Sequence, residues 1–142
     1  MLEQYPEDVK MIFKNYPLKY HAFSKKAALA AAAAQRQGRF WEYHDLIFEN
    51  YKHLDDQKFL EIARELNLDM KKFEKDMNDP ATSLRVDKDY QLGRSVGVRG
   101  TPTIFINGSI TKARTLEDFQ ALVENMLEKD RNRAALSEGQ IR

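Results

Sequence analysis

The stretch Thr103-Ile-Phe-Ile-Asn-Gly-Ser-Ile-Thr-Lys112 constrains the fold of this chain more than any other. Asn107-Gly108 tolerates the positive φ angles that a two-residue turn demands, and extended-favouring residues flank it, so the stretch reads as a tight β-hairpin. A helix follows at once. Thr115-Leu-Glu-Asp118 has the character of a capping box, and Leu116, Phe119, Leu122, Val123, Met126 and Leu127 then mark an amphipathic helix able to cover one sheet face. Beyond Lys129 the apolar pattern fades, and residues 131–142 read as a frayed tail.

Upstream of Gly97 the patterns are mostly helical. Ser24 to Gln37 is alanine-rich, starts with a serine able to cap it and stops at Gly38; its small side chains permit close packing. Phe40, Trp41, His44, Leu46, Ile47, Phe48 and Tyr51 follow at mixed spacing, which predicts a helix apolar around much of its circumference and placed in the core. Trp41, Tyr43, His44 and Phe48 would then be packing residues and not an aromatic binding patch. Asp55 precedes Phe59, Ile62, Ala63 and Leu66 at the spacing of one helix face, and Asp69 repeats the cap signal before Met70, Phe73 and Met77. Asn78-Asp79-Pro80 breaks that helix and opens another, whose apolar positions Leu84, Leu92 and Val96 are interrupted by Lys88 and weakened by Gly93. One earlier run, Val9-Lys-Met-Ile-Phe13 between Pro6 and Asn15-Tyr-Pro17, reads as a buried strand. Strand, four or five helices, hairpin and helix in that order predict an α/β fold: a small sheet with a helical insertion.

Composition excludes several function classes. The 142 residues suit one domain, and 23 basic residues interleaved with 22 acidic ones form no face for nucleic acid. The short basic runs at Lys25, Lys71 and Lys129 to Arg133 read as solvated helix faces. The longest uncharged run, Ala27 to Gln35, is too short and weakly apolar to span a bilayer, so no membrane partner is expected. The first residues carry no basic-then-apolar export signal. The chain has no cysteine, which removes structural disulfides, thiolate metal sites and both halves of any dithiol couple. With His21, His44 and His53 the only histidines and no His-Glu-x-x-His spacing, neither metal nor other cofactor is expected. His21 reads as a hydrogen-bonded structural histidine at a helix entry. No Ser/His/Asp order suggests a hydrolase.

Gly100-Thr101-Pro102-Thr103 lies just before the hairpin, where a proline that cannot donate to a ladder belongs at a strand start. On the residues alone a trans proline is the simpler reading, since about 5% of X-Pro bonds in folded proteins are cis. Taken together, Val9 to Leu18, the alanine helix, Gln37-Gly-Arg-Phe-Trp-Glu-Tyr-His-Asp45 and Gly97-Val-Arg-Gly-Thr-Pro-Thr-Ile-Phe-Ile-Asn-Gly108 resemble the DsbA-like thioredoxin-fold family of thiol:disulfide oxidoreductases.

The resemblance implies an incomplete thioredoxin-like fold with three remaining strands. Residues 1–20 and 97–130 would form the sheet and helix portion, residues 21–96 the helical insertion, within a single domain over 1–142. In the family a strand and a helix bearing Cys-x-x-Cys precede the segment that starts here near Leu2, and Leu2 to Tyr5 would be the last turn of that helix. Thr101 and Pro102 would form the cis-proline loop, offering backbone to an extended or unfolded polypeptide by β-augmentation, with Gly100 permitting close approach. The implied function is that of a DsbA-family domain fragment, redox-inactive without cysteines; the alternative is a non-catalytic peptide-binding or chaperone-like module using the same groove. The family is usually extracytoplasmic. A missing central strand would leave unpaired inner edges, for which a homodimer or swapped assembly is one remedy.

Overall fold

Five consecutive alanines, Ala30 to Ala34, are all buried. Five successive helical positions sweep through more than a full turn, so the helix that carries them is enclosed on every side. That helix, α1 (Ser24–Gln35), is the hub of the computed structural model, which describes residues 3–139. The chain divides into two compact units, Phe13–Thr101 on one hand and Met1–Ile12 with Pro102–Arg142 on the other.

In the first unit, α2 (Phe40–Glu49), α3 (Asp56–Glu65), α4 (Met70–Met77) and α5 (Pro80–Ser95) all pack against α1. The methyl side chains of α1 let these helices come close, and Tyr43, Phe59, Ile62 and Phe73 fill the space between them. The Tyr43 hydroxyl donates to the Phe59 carbonyl at 2.7 Å, and burial pushes its pKa above the ordinary phenol range. Helix starts follow the expected aspartates: Asp55 accepts from Lys58 N, Asp69 from Lys72 N, and Asp79 from Ala81 N with Pro80 in the first turn. Helix ends follow residues that accept positive φ. Gly38 (φ 73°), Asn67 (φ 54°) and Gly97 (φ 83°) each close a helix. After each of them the next N–H returns to a carbonyl five residues back: Arg39 to Ala34, Leu68 to Ala63, Val98 to Gly93.

Four expectations are corrected in this unit. Ser24 does not cap α1; it is the first helical residue, and its hydroxyl donates to the Leu18 carbonyl at 2.7 Å. Helix α2 is not buried all round: Tyr43 and Ile47 face the core, while Trp41 (41% exposed) and Phe48 (62%) reach the surface. There they form an aromatic cluster with Phe13, Phe40 and His44, the His44 ring 5.1 Å from Phe13 and 4.6 Å from Phe48. The buried face of α5 is Thr82, Val86 and Asp89, and the larger Leu84, Leu92 and Val96 are exposed. His21 stands at the entry to α1 as expected, but its exposed ring meets the Tyr20 ring at 4.6 Å in place of the expected hydrogen bond.

The second unit holds a two-stranded antiparallel sheet, β1 (Ile104–Ile106) and β2 (Ser109–Thr111), and the long helix α6 (Leu116–Gly139). Asn107 (φ 47°) and Gly108 (φ 80°) both take positive φ, as the mirror-image hairpin turn requires. Register pairs Ile104 with Thr111, Phe105 with Ile110 and Ile106 with Ser109. The capping box forms reciprocally: Asp118 N donates to Thr115 Oγ1 at 3.1 Å, and Asp118 Oδ2 accepts from Thr115 N at 3.2 Å and Arg114 N at 3.3 Å. Residues 3–8 turn against α6, with Tyr5 Oη donating to Glu124 at 2.9 Å and Gln120 Nε2 to Gln4 at 2.6 Å. Helix α6 runs well past Lys129, because Arg131, Arg133, Ala135 and Leu136 are good helix formers even without an apolar stripe. Residues 140–142 of the expected tail, and Leu2 of the expected helix turn, lie outside the described residues.

The architecture is α/β, with two strands among the described residues where three were expected. Val9–Phe13 forms no strand. Its composition suits one, but a strand exists only through a ladder, and no described strand pairs with it. Met11 (54% exposed) and Ile12 (68%) are accordingly on the surface.

Candidate functional site

Gly100, Thr101 and Pro102 occupy a bend between the end of α5 and the first residue of β1. The upstream end of this loop is held firmly. Gly93 and Gly97 together close α5, and the Val98 carbonyl accepts a 2.7 Å hydrogen bond from the Tyr16 hydroxyl. The Tyr16 ring stacks on Tyr90 at 4.8 Å and lies against the helix at Gly93, where a Cβ would stand 2.7 Å from Tyr16 Cδ2. Beside it the Asp89 carboxylate accepts from Lys14 Nζ (3.0 Å), Asn15 N (3.1 Å) and Asn15 Nδ2 (3.2 Å). Asn15-Tyr16 is therefore clamped to α5 at Asp89, Tyr90 and Gly93, and the same clamp holds Val98, two residues before Gly100.

Downstream the loop enters the hairpin at Ile104. Thr101 and Pro102 are exposed and Gly100 is half-buried. Gly100 does not take positive φ, and a Cβ built there meets nothing within 4 Å, so neither the turn nor the chain's own packing demands glycine. The conformational freedom of glycine is used at Gly97 instead.

The chemistry available at the loop is backbone hydrogen bonding, one threonine hydroxyl and an apolar proline ring. No thiol is present anywhere in the chain. Among the described residues no three His, Cys, Asp or Glu side chains gather as a metal site, and no helix is long and apolar enough to cross a membrane.

Three residues that position the loop were not read from the sequence in that role: Tyr16 and Asp89, which were passed over, and Gly93, which read as a helix weakness. Their signals were present. Tyr16 sits inside the Asn15-Tyr-Pro17 boundary, Asp89 is an acid on the inner face of α5, and Gly93 is a glycine in mid-helix, where it costs stability unless something needs the space.

Residues 2–125 match the family described as DSBA-like thioredoxin domain. The chain belongs to that family. Its relatives include a Na(+)/H(+) antiporter NhaA 3 of Salinispora tropica, 36% identical over 101 residues that make up 70% of this chain and 16% of the antiporter. A probable disulfide bond formation protein D of Bacillus anthracis is 27% identical over 126 residues, 80% of this chain and 54% of that protein. The chain thus spans about half the length of the Bacillus relative and a sixth of the antiporter. Among solved structures, a thioredoxin-like oxidoreductase from Silicibacter pomeroyi superposes with a TM-score of 0.65 at 22% identity, over 82% of this chain and 66% of that one. That likeness carries the fold alone.

Proposed function

We propose that these residues form the polypeptide-facing portion of a DsbA-like thiol:disulfide oxidoreductase and have no redox turnover of their own. The absence of cysteine carries the second half of this reading, because thiol–disulfide exchange proceeds by thiolate attack through a mixed disulfide and no residue here can form one. The exposed Thr101-Pro102 bend supports the first half: its upstream end is clamped at Val98, so little ordering entropy opposes a peptide that docks along it. Gly100, with open space where a side chain would stand, leaves room for that peptide. Dithiothreitol-driven insulin reduction, followed by turbidity, tests the reading; the expected trace equals the protein-free control, and faster precipitation overturns it.

A second reading, a non-catalytic peptide-binding or chaperone-like module, rests on the same exposed bend. It predicts binding of an unfolded polypeptide, such as reduced carboxymethylated α-lactalbumin, that is lost in Pro102→Ala. Equal binding by the two proteins would remove it. Assembly through β1, with a second copy lending a strand to its free edge, would appear as a concentration-dependent mass in sedimentation, and a monomer at every concentration would argue against it.

A further inference from the structure

We propose that the free edge of β2 and the groove beside it bind an extended peptide carrying an apolar side chain next to acidic residues. This site belongs to the hairpin and α6 and does not rest on the Thr101-Pro102 reading.

The groove encloses about 200 Å³. It is lined by Ile106 of β1, by the consecutive residues Ser109, Ile110, Thr111 and Lys112, and by Leu122 and Met126 of α6. Alternate side chains of a strand point to opposite faces, so a groove lined by all three residues of β2 and by Lys112 beyond it reaches that strand's edge. The groove therefore follows the edge of β2 that β1 does not occupy. In a two-residue hairpin the pair beside the turn exchanges ladder hydrogen bonds and the next pair does not. Ile106 and Ser109 are that first pair, so Ile110, opposite Phe105, aims its N–H and C=O at the free edge. An extended segment can add there as a third strand, with one side chain in the apolar floor of Ile106, Leu122 and Met126.

Charge selects the occupant. Along α6 the positions Leu122, Met126, Lys129 and Arg133 follow one another at intervals of four, three and four, a stripe that passes from apolar to mainly basic, with Asp130 as the one acid on the same face. Lys129 and Arg133 are exposed, and Lys112 stands at the groove's own rim. Set against Asp130, these three cations leave a net positive charge beyond the apolar floor, which matches a strand whose apolar residue is followed by carboxylates. A second copy of this chain fits poorly, because edge-to-edge pairing of β2 with itself would bring two basic stripes to one seam.

The test uses the 142-residue protein and a fluorescein-labelled octapeptide, Thr-Val-Thr-Val-Thr-Val-Glu-Glu, with the same peptide ending in Lys-Lys as comparison. The acidic peptide is expected to bind, to weaken with added salt, and to slow amide hydrogen exchange at Ile110. Binding should fall roughly tenfold in Lys112→Glu/Lys129→Glu, whose sites are on the surface. Ile110→Pro, which removes an N–H outside the β1–β2 ladder, should lose the Ile110 contact; circular dichroism checks that it stays folded. Lys71→Glu/Lys72→Glu, an equal change of charge on the surface of α4, should leave this binding unchanged. Equal affinity for the two peptides, protection at Ile104 to Ile106 in place of Ile110, or protection of Ile110 that grows with protein concentration in the absence of peptide would each overturn the proposal.

Discussion

The Tyr16 ring lies so close to Gly93 that any side chain at position 93 would collide with it, at 2.7 Å from Cδ2 and 2.9 Å from Cε2. The ring cannot step aside without losing its stacking on Tyr90 and its hydrogen bond to the Val98 carbonyl. Gly93→Ala gains about 0.5–1 kcal/mol of helix propensity but overpacks the contact at a cost of about 1–3 kcal/mol, so net destabilisation is expected. Urea unfolding measures it. Tyr16→Ala in the same chain should relieve most of the added loss, since the colliding ring atoms are then gone.

Asp89 is expected to matter more for shape than for charge. Asp89→Ala strands the half-buried Asn15 amide, a loss of about 1–3 kcal/mol, whereas Asp89→Asn keeps an acceptor oxygen in place and should lose less. The difference between the two urea midpoints is the readout. Equal losses would mean that the ion pair with Lys14 dominates.

The start of α6 should weaken in acid. Backbone N–H donation from Arg114, the Thr115 side chain and then the Thr115 N–H hold the Asp118 carboxyl below its ordinary value of 3.8. A carboxylate depressed in the folded state lends stability that is complete above the unfolded value and fades as pH falls from there through the folded one. The carboxyl carbon shift of Asp118 should therefore titrate below 3.8, and in Asp118→Asn the acid-induced loss of helicity should begin from an already weakened α6.

Two phenylalanines separate the core from the surface cluster. Phe59→Ala, fully buried against α1 and α2, should cost about 3–5 kcal/mol. Phe48, 62% exposed, should cost under about 1 kcal/mol when replaced by alanine. The single tryptophan, Trp41, reports on the same cluster, and its emission should shift when Phe13 or His44 is replaced.

The helices were legible from the sequence because their signals are local. An aspartate, a glycine or an Asn-Gly pair acts within four residues of itself, and Asp55, Asp69, Gly38 and Asn107-Gly108 all do what those rules require. The place of Thr101-Pro102 just before β1 was legible from the same local patterns. What stayed hidden depends on distant partners. Val9–Phe13 has the composition of a strand but nothing described to pair with. Trp41 and Phe48 are apolar enough for a core that Tyr43 and Ile47 already fill. The Tyr16–Val98 bond joins residues 82 positions apart, which no periodicity reveals. Gly93 looked like a weak point in a helix because the ring that needs its space lies far away in the chain.

The alanine hub leaves the molecule little freedom to drift. At Ala30, Ala33 and Ala34, none of them exposed, a larger residue must push a neighbouring helix outward, and glycine would loosen the one helix that the other four share. Neither direction of change is open. Variation in a lineage carrying this domain should therefore accumulate on the outer faces of α2 to α5 and spare the interior of α1, the reverse of what a low-complexity run of alanines would suggest.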